Sequence, residues 1–303
     1  MTRFSAPLSV VREAIIACEA CPRLRRYCTE IARKKRRAYR DETYWGKPVP
    51  GFGDPQARLL IVGLAPAAHG ANRTGRVFTG DGSGGSGDFL MGALHRAGFA
   101  NIPTSRDPND GLVLCDAYIA AAVRCAPPDN KPTPEEIERC LPHLQAEIDA
   151  LPHVGVIVAL GKIGFDAYLQ LLKRRDIVLR PRPVFAHAAR FRLPNGQTLV
   201  GCYHPSRQNT NTGKLTSQMM DAVLRIAKTA ITGARGSRGS RGSSGSRGSG
   251  FNIPSRSNRR NRSNSSNLSK PLEPLNFSNP FETLEPFEPL NLSNHLNLLN
   301  LLK

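Results

Sequence analysis

The sequence predicts an α/β fold with a mostly parallel sheet, and three observations carry that prediction. Short apolar runs alternate with longer segments of helical periodicity. Polar, glycine-containing loops follow directly on two of those runs. A helix start signal stands between the second and third runs. In order, residues 7–40 read as helical, with Val10, Val11, Ile15 and Ile16 ahead of the basic run Ile31–Arg40. A Pro/Gly-rich connector, Gly46–Pro55, leads into Arg58–Gly63, an apolar run ending in glycine that reads as a buried parallel strand. Residues 64–87 read as a loop and Asp88–Ala97 as a helix, with Phe89, Leu90, Ala93 and Leu94 on one face.

Leu112–Val123 is the second strand. Thr133-Pro-Glu-Glu136 then starts a helix running to about Ala150, because Thr can cap, Pro fits the first turn and Glu136 can complete a capping box. Val154–Leu160 is a third strand, Lys162–Lys173 a helix, Thr198–Tyr203 a fourth strand and Lys214–Thr229 a closing helix.

With 40% hydrophobic residues in 303, the chain can bury a core. No run of eighteen apolar residues occurs, and the apolar stretch near the N-terminus is too interrupted for a secretory signal, so a cytosolic protein without a membrane span is expected. Seven cysteines in such a chain argue against a disulfide framework and for metal binding, packing or redox chemistry. The net charge is +18. Residues from Ala234 onward carry ten Lys/Arg against four Asp/Glu, which leaves +12 on residues 1–233. That balance suits a polyanionic partner, and a basic solubilising surface explains it equally well. Composition also divides the chain. Residues 1–233 read as one globular domain, whereas 234–303 open with a Gly/Ser/Arg repeat and continue rich in Asn, Ser, Leu and Pro, a tail expected to be disordered.

Three constellations carry chemistry. Cys18-Glu-Ala-Cys21 presents two thiols from one turn, and Cys125 and Cys140 form a distant second pair; four thiolates suit zinc or an iron–sulfur cluster. Cys28, Cys115 and Cys202 remain, the last two in apolar strand contexts that predict buried packing. The loop Gly63–Asp81 (GLAPAAHGANRTGRVFTGD) follows a strand and precedes a helix. It is neither a phosphate-binding P-loop nor a dinucleotide fingerprint, since the spacing fails both. Finally, Tyr203-His-Pro-Ser-Arg-Gln-Asn-Thr-Asn-Thr-Gly213 places an imidazole and a polar loop at the end of the last strand.

Taken jointly, GLAPAAHGANRTGRVFTGD, the cysteine spacing, HPSRQNTNTG and TYWGKPVPGFGDP resemble the family 5 uracil-DNA glycosylases over roughly residues 10–230. The resemblance implies a three-layer α/β/α domain on a four-stranded, mostly parallel sheet. It implies a structural [4Fe–4S] cluster on Cys18, Cys21, Cys125 and Cys140. It also implies a DNA-binding monomer that excises uracil, and other deaminated bases such as hypoxanthine and xanthine, leaving an abasic site. Gly63, Leu64, Ala65, Pro66 and Ala67 would border the flipped base, and Phe78 would stack on it. Ala65 stands where many relatives of the superfamily carry a carboxylate or Asn, so it cannot activate water. His204 is expected to stabilise the departing base and Asn72 to hold a water or a base edge, with Asp81 as a less favoured base whose favoured role is capping. Ser206, Arg207, Gln208 and Asn209 would probe the minor groove; the basic run Arg33–Arg37, read on its own, suits either a phosphate contact or a solvated helix face. Gly82–Gly87 looks like the family's short Gly/Ser turn lengthened by roughly three residues. The competing expectation, prompted by Ala65 and the basic tail, is a non-catalytic iron–sulfur protein that binds nucleic acid.

Overall fold

The computed structural model describes residues 6–236. The elements run α1 (Leu8–Ile16), α2 (Pro22–Lys34), β1 (Phe52–Gly53), β2 (Leu59–Gly63), α3 (Ala71–Thr74), α4 (Ser86–Arg96), β3 (Ala117–Ala121), α5 (Pro134–Asp149), β4 (Val156–Leu160), α6 (Gly161–Arg174), β5 (Arg190–Arg192), β6 (Thr198–Cys202), α7 (Arg207–Asn211) and α8 (Ser217–Gly236). They build one sheet of order β1-β3-β2-β4-β6-β5. The four central strands are parallel, as the apolar runs require, and every residue of each is buried. Two short antiparallel strands, β1 against β3 and β5 against β6, extend the sheet at its edges and were not expected.

Alternation along the strands makes the three layers. Leu59, Ile61, Ile119, Val156, Val158 and Val200 face one core with Leu90 and Leu94 of α4 and Val223 and Leu224 of α8. Leu60, Val62, Tyr118, Ile157 and Leu199 face the other, with Leu144 and Ile148 of α5 and Phe165 and Tyr168 of α6. Helix α5 begins where its signal stands: the Thr133 hydroxyl accepts the Glu136 N–H, and the Glu136 carboxylate accepts the Thr133 N–H.

Three expectations change. The helical stretch over residues 7–40 is two helices broken around Cys18–Cys21. The closing helix extends past Thr229 to Gly236, and the rest of the expected tail lies outside the described residues. Cys202 is buried, but Cys115 is exposed, because it precedes β3 rather than lying within it. Among the described residues no helix is long and apolar enough to cross a membrane.

Chain order and spatial order disagree at one place: β2 connects to β3 on one side, and the chain then returns across it to β4 on the other. Open α/β sheets bind ligands beyond the carboxyl ends of strands at such a switch. The loops after β2, β3 and β6 meet there.

Candidate active site

A cavity of about 840 Å³ opens at this sheet edge. It is lined by residues after β2 (Gly63 to Ala71), the segment from Val77 to Ser86, Ala121 at the end of β3, and His204, Ser206, Arg207 and Gln208 after β6. Gly63 is needed for close approach: a Cβ there would lie 3.0 Å from Phe78 Cε2 and 3.2 Å from Cζ. Phe78 takes the left-handed region (φ 51°), uncommon for a bulky residue. Its ring lies against His204, with centroids 5.9 Å apart and planes 30° from parallel.

The backbone of His204 is clamped, since its carbonyl accepts the Ser206 N–H at 2.8 Å and the Asn209 side-chain amide at 2.8 Å. Burial pushes the imidazole down to about 4, so it is neutral at neutral pH. Asp81 also borders the cavity. Its carboxyl is pushed up by burial, against the opposing pull of the Gly87 N–H and the Arg207 and Arg73 guanidiniums.

Gly63, Leu64, Ala65, Pro66, Ala67, Phe78, His204, Ser206, Arg207 and Gln208 therefore stand around one cavity. Asn72 does not: this assignment is corrected. Asn72 is fully buried beneath the loop, where its amide donates to the carbonyls of Cys28 and Ala68, both at 3.3 Å. It joins the loop to α2 and does not line the cavity. Asn209 is likewise not among the cavity-lining residues; its side-chain amide donates to the His204 carbonyl. The arginines of the first loop are structural too. Arg73 ion-pairs with Glu42, donates to the carbonyls of His69 and Gly80 and packs over Tyr39, while Arg76 pairs with Asp110 at 2.8 Å. The sequence reading missed Tyr39, His69, Asp129 and Asn130 as cavity residues. Asp129 and Asn130 follow Cys125 in a turn where both take positive φ, and only the presence of Asp-Asn between prolines signalled a turn.

The cysteines lie directly behind this loop. Cys21, Cys28, Cys125 and Cys140 share a buried apolar cluster with Leu24, Val123 and Ala126, against which Ala65 and Ala68 of the cavity loop pack. Cys18, half-buried, lies near enough to Cys21 and Cys140 that its charge would raise both thiols. The Arg124 N–H donates to Cys140 Sγ at 3.2 Å, the kind of contact that supports a metal-bound thiolate. Among the described residues, no three His, Cys, Asp or Glu side chains are grouped so as to hold a metal ion. Cys21, Cys125 and Cys140 are buried in this cluster and Cys18 lies near them, so four thiols of the kind that ligate zinc or an iron–sulfur cluster occupy one region.

A mostly parallel sheet with a loop-lined cavity at its switch point, bordered by Phe78 and His204, is the architecture of an α/β ligand-binding or catalytic domain. The model of the Uracil DNA glycosylase superfamily matches residues 50–228. A type-5 uracil-DNA glycosylase of Thermus thermophilus is 50% identical over 216 residues, covering 71% of this chain and 94% of the relative. One from Mycobacterium leprae is 53% identical over 215 residues, 71% of this chain and 91% of the relative. One from Pyrobaculum aerophilum is 41% identical over 213 residues, 70% and 88%. The chain belongs to the type-5 uracil-DNA glycosylase family within that superfamily.

Proposed function

We propose that this chain is a monomeric DNA glycosylase that hydrolyses the N-glycosidic bond of uracil in DNA, and of other deaminated bases such as hypoxanthine and xanthine, leaving an abasic site. The observation that carries it is the Phe78–His204 pair at the mouth of the Gly63 loop. One ring offers a stacking face for an extruded base, and the other is a neutral imidazole that can donate to a base carbonyl. As the bond lengthens, negative charge builds on the departing base. A donor already fixed by its backbone clamps stabilises that charge without reorganising.

Ala65 offers no base, and Asn72 lies outside the cavity. Of the two carboxylates that line it, Asp81 and Asp129, Asp81 sits in the loop next to Phe78 and orients the attacking water beside an oxocarbenium-like sugar. No lysine lines the cavity among the described residues, which supports hydrolysis without a Schiff base and hence without strand cleavage. Ala121 offers the base no polar contact where an amide would discriminate among bases, which supports a permissive pocket.

Cys18, Cys21, Cys125 and Cys140 would hold a [4Fe–4S] cluster. When bound, it would act as a cross-link rather than in the reaction, tying the α1–α2 junction to Cys125 and α5 behind Ala65 and Ala68. Purified protein should show visible iron–sulfur absorbance and bound iron that Cys125→Ala removes; colourless, iron-free protein contradicts the cluster. For the activity, duplexes carrying one uracil, hypoxanthine or xanthine are incubated with the protein and treated with alkali. Scission at the lesion that His204→Ala abolishes is expected, and intact strands on all three contradict the proposal.

A further inference from the structure

His69 lines the cavity, yet the chemistry above gives it no part. Its Nδ1 lies 3.0 Å from the Tyr44 hydroxyl, and that hydroxyl oxygen also accepts the Arg36 backbone N–H at 3.3 Å. The direction of the chain follows from what each group can do. A backbone N–H only donates, so the Tyr44 oxygen is an acceptor there. Tyr44 is buried, and among the described residues its hydroxyl has no polar neighbour besides those two, so its own proton goes to His69 Nδ1. A neutral imidazole that accepts at Nδ1 carries its proton on Nε2. Nε2 has no partner among the described residues and belongs to a side chain on the cavity wall.

The surroundings of that N–H are positive. Arg36 borders the same cavity, and its exposed guanidinium has no ion-pair partner among the described residues. Arg36, Arg37 and Arg40 also line a second, shallow cleft of about 540 Å³ that adjoins the first through Arg36. Arg73, also nearby, is fully occupied by Glu42, two carbonyls and the Tyr39 ring. Burial and the charges of Arg36 and Arg73 hold the His69 imidazole below its ordinary value, which keeps it neutral. A fixed neutral donor beside one free guanidinium is matched by a phosphodiester; along the shallow cleft Arg37 adds a second cation, while Arg40 is paired with Asp41 at 3.5 Å.

We propose that His69 Nε2–H and the Arg36 guanidinium together bind one backbone phosphate flanking the extruded nucleotide, with Tyr44 as the positioning residue that sets the His69 tautomer and Arg37 continuing the track toward the next phosphate. This rests on the glycosylase reading given above. Arg36 follows α2 in sequence and borders the same cavity as Ser206, Arg207 and Gln208.

The test is binding of full-length protein to a duplex containing one uracil whose 2′-fluorinated sugar blocks hydrolysis, measured over a range of salt concentrations. Arg36→Ala should lower the slope of log affinity against log salt by about 1, as loss of one phosphate neutralisation does. His69→Ala removes a neutral donor to an anion, so it should weaken binding about tenfold and leave that slope unchanged. A methylphosphonate at the contacted phosphate should weaken the wild type but not a His69→Ala/Arg36→Ala double variant. Nitrogen-15 NMR should show the proton of His69 on Nε2, and in Tyr44→Phe the Nδ1 signal should shift. Wild-type affinity and slope in both single variants, or a proton on Nδ1, would overturn the proposal. Excision of natural uracil by the wild type, run in parallel, separates the two claims: active enzyme with unchanged variants sinks only the phosphate site, whereas inactive enzyme sinks the glycosylase reading itself.

Discussion

Glu147 of α5 joins three elements of the interior through one buried carboxylate. Its side chain and that of Arg124 are each 1% exposed and meet at 2.7 Å. The same carboxylate accepts the Gly51 N–H at 2.7 Å and the Tyr118 hydroxyl at 3.3 Å. Arg124 in turn accepts the Val49 N–H at its carbonyl and donates its own N–H to Cys140 Sγ. Glu147→Ala therefore strands a buried guanidinium and two donors at once. Leaving one partner of a buried pair uncompensated costs about 3–5 kcal/mol, and an orphaned buried donor about 1–3 more. Counting one such donor, the expected loss is roughly 4–8 kcal/mol, a large part of the ~5–15 kcal/mol that holds a domain folded. At about 2–4 °C per kcal/mol for a domain of this size, Tm should fall by roughly 10–30 °C. The reasoning also makes an opposite claim: Arg124→Met/Glu147→Leu, which removes both charges, should recover most of that loss, because apolar pairs of similar volume replace buried ion pairs at little cost. Thermal and urea unfolding of the single and double variants measure both. A single variant that melts within about 2 °C of wild type, or a double variant no more stable than the single, would refute the account of this network.

Further expectations concern the cavity. His204→Ala should lower kcat for uracil release by about 10²–10³, the usual loss for one preorganised donor to a developing anion, with far less effect on binding in a gel-shift assay. Because burial depresses His204 to about 4, excision should show no inflection near pH 6.5 as pH rises, and an NMR titration should place its midpoint well below that. The sign for stability follows: the unfolded chain protonates this residue first, so its contribution falls as pH drops from about 6.5 toward 4. Gly63→Ala drives a methyl toward a Phe78 ring already backed by His204, and should cost roughly tenfold or more in kcat/KM. Asn209→Ala releases one clamp on the His204 carbonyl; kcat should fall more than DNA affinity, and equal losses in both would contradict that positioning role.

How much of this was legible in the sequence depended on how local the cause was. The four central strands announce themselves because strands buried on both faces need continuous apolar runs. The start of α5 does so because a capping box is written in four consecutive residues. The edge strands were invisible: β1 is two residues in a Pro/Gly connector, and β5 is Arg-Phe-Arg, with no apolar run to mark it. The two loops that meet at the cavity were legible from their positions at strand ends. Which of their side chains face inward was not. Asn72, Arg73 and Arg76 look like ligand-binding residues in a polar loop, yet partners 30 or more residues away in sequence, such as Cys28, Glu42 and Asp110, turn them into internal braces. Tyr44 and His69, 25 residues apart, become a pair only once the chain has folded.

The central claim is that the Phe78–His204 cavity cleaves the bond between uracil and its sugar. Mass-spectrometric detection of the free base, released from a duplex bearing one uracil, tests it without reliance on strand cleavage. Stoichiometric free uracil with the wild type, and its loss with His204→Ala while the variant still binds the duplex, is the expected result. Absence of free uracil with folded, DNA-binding wild-type protein would contradict the account.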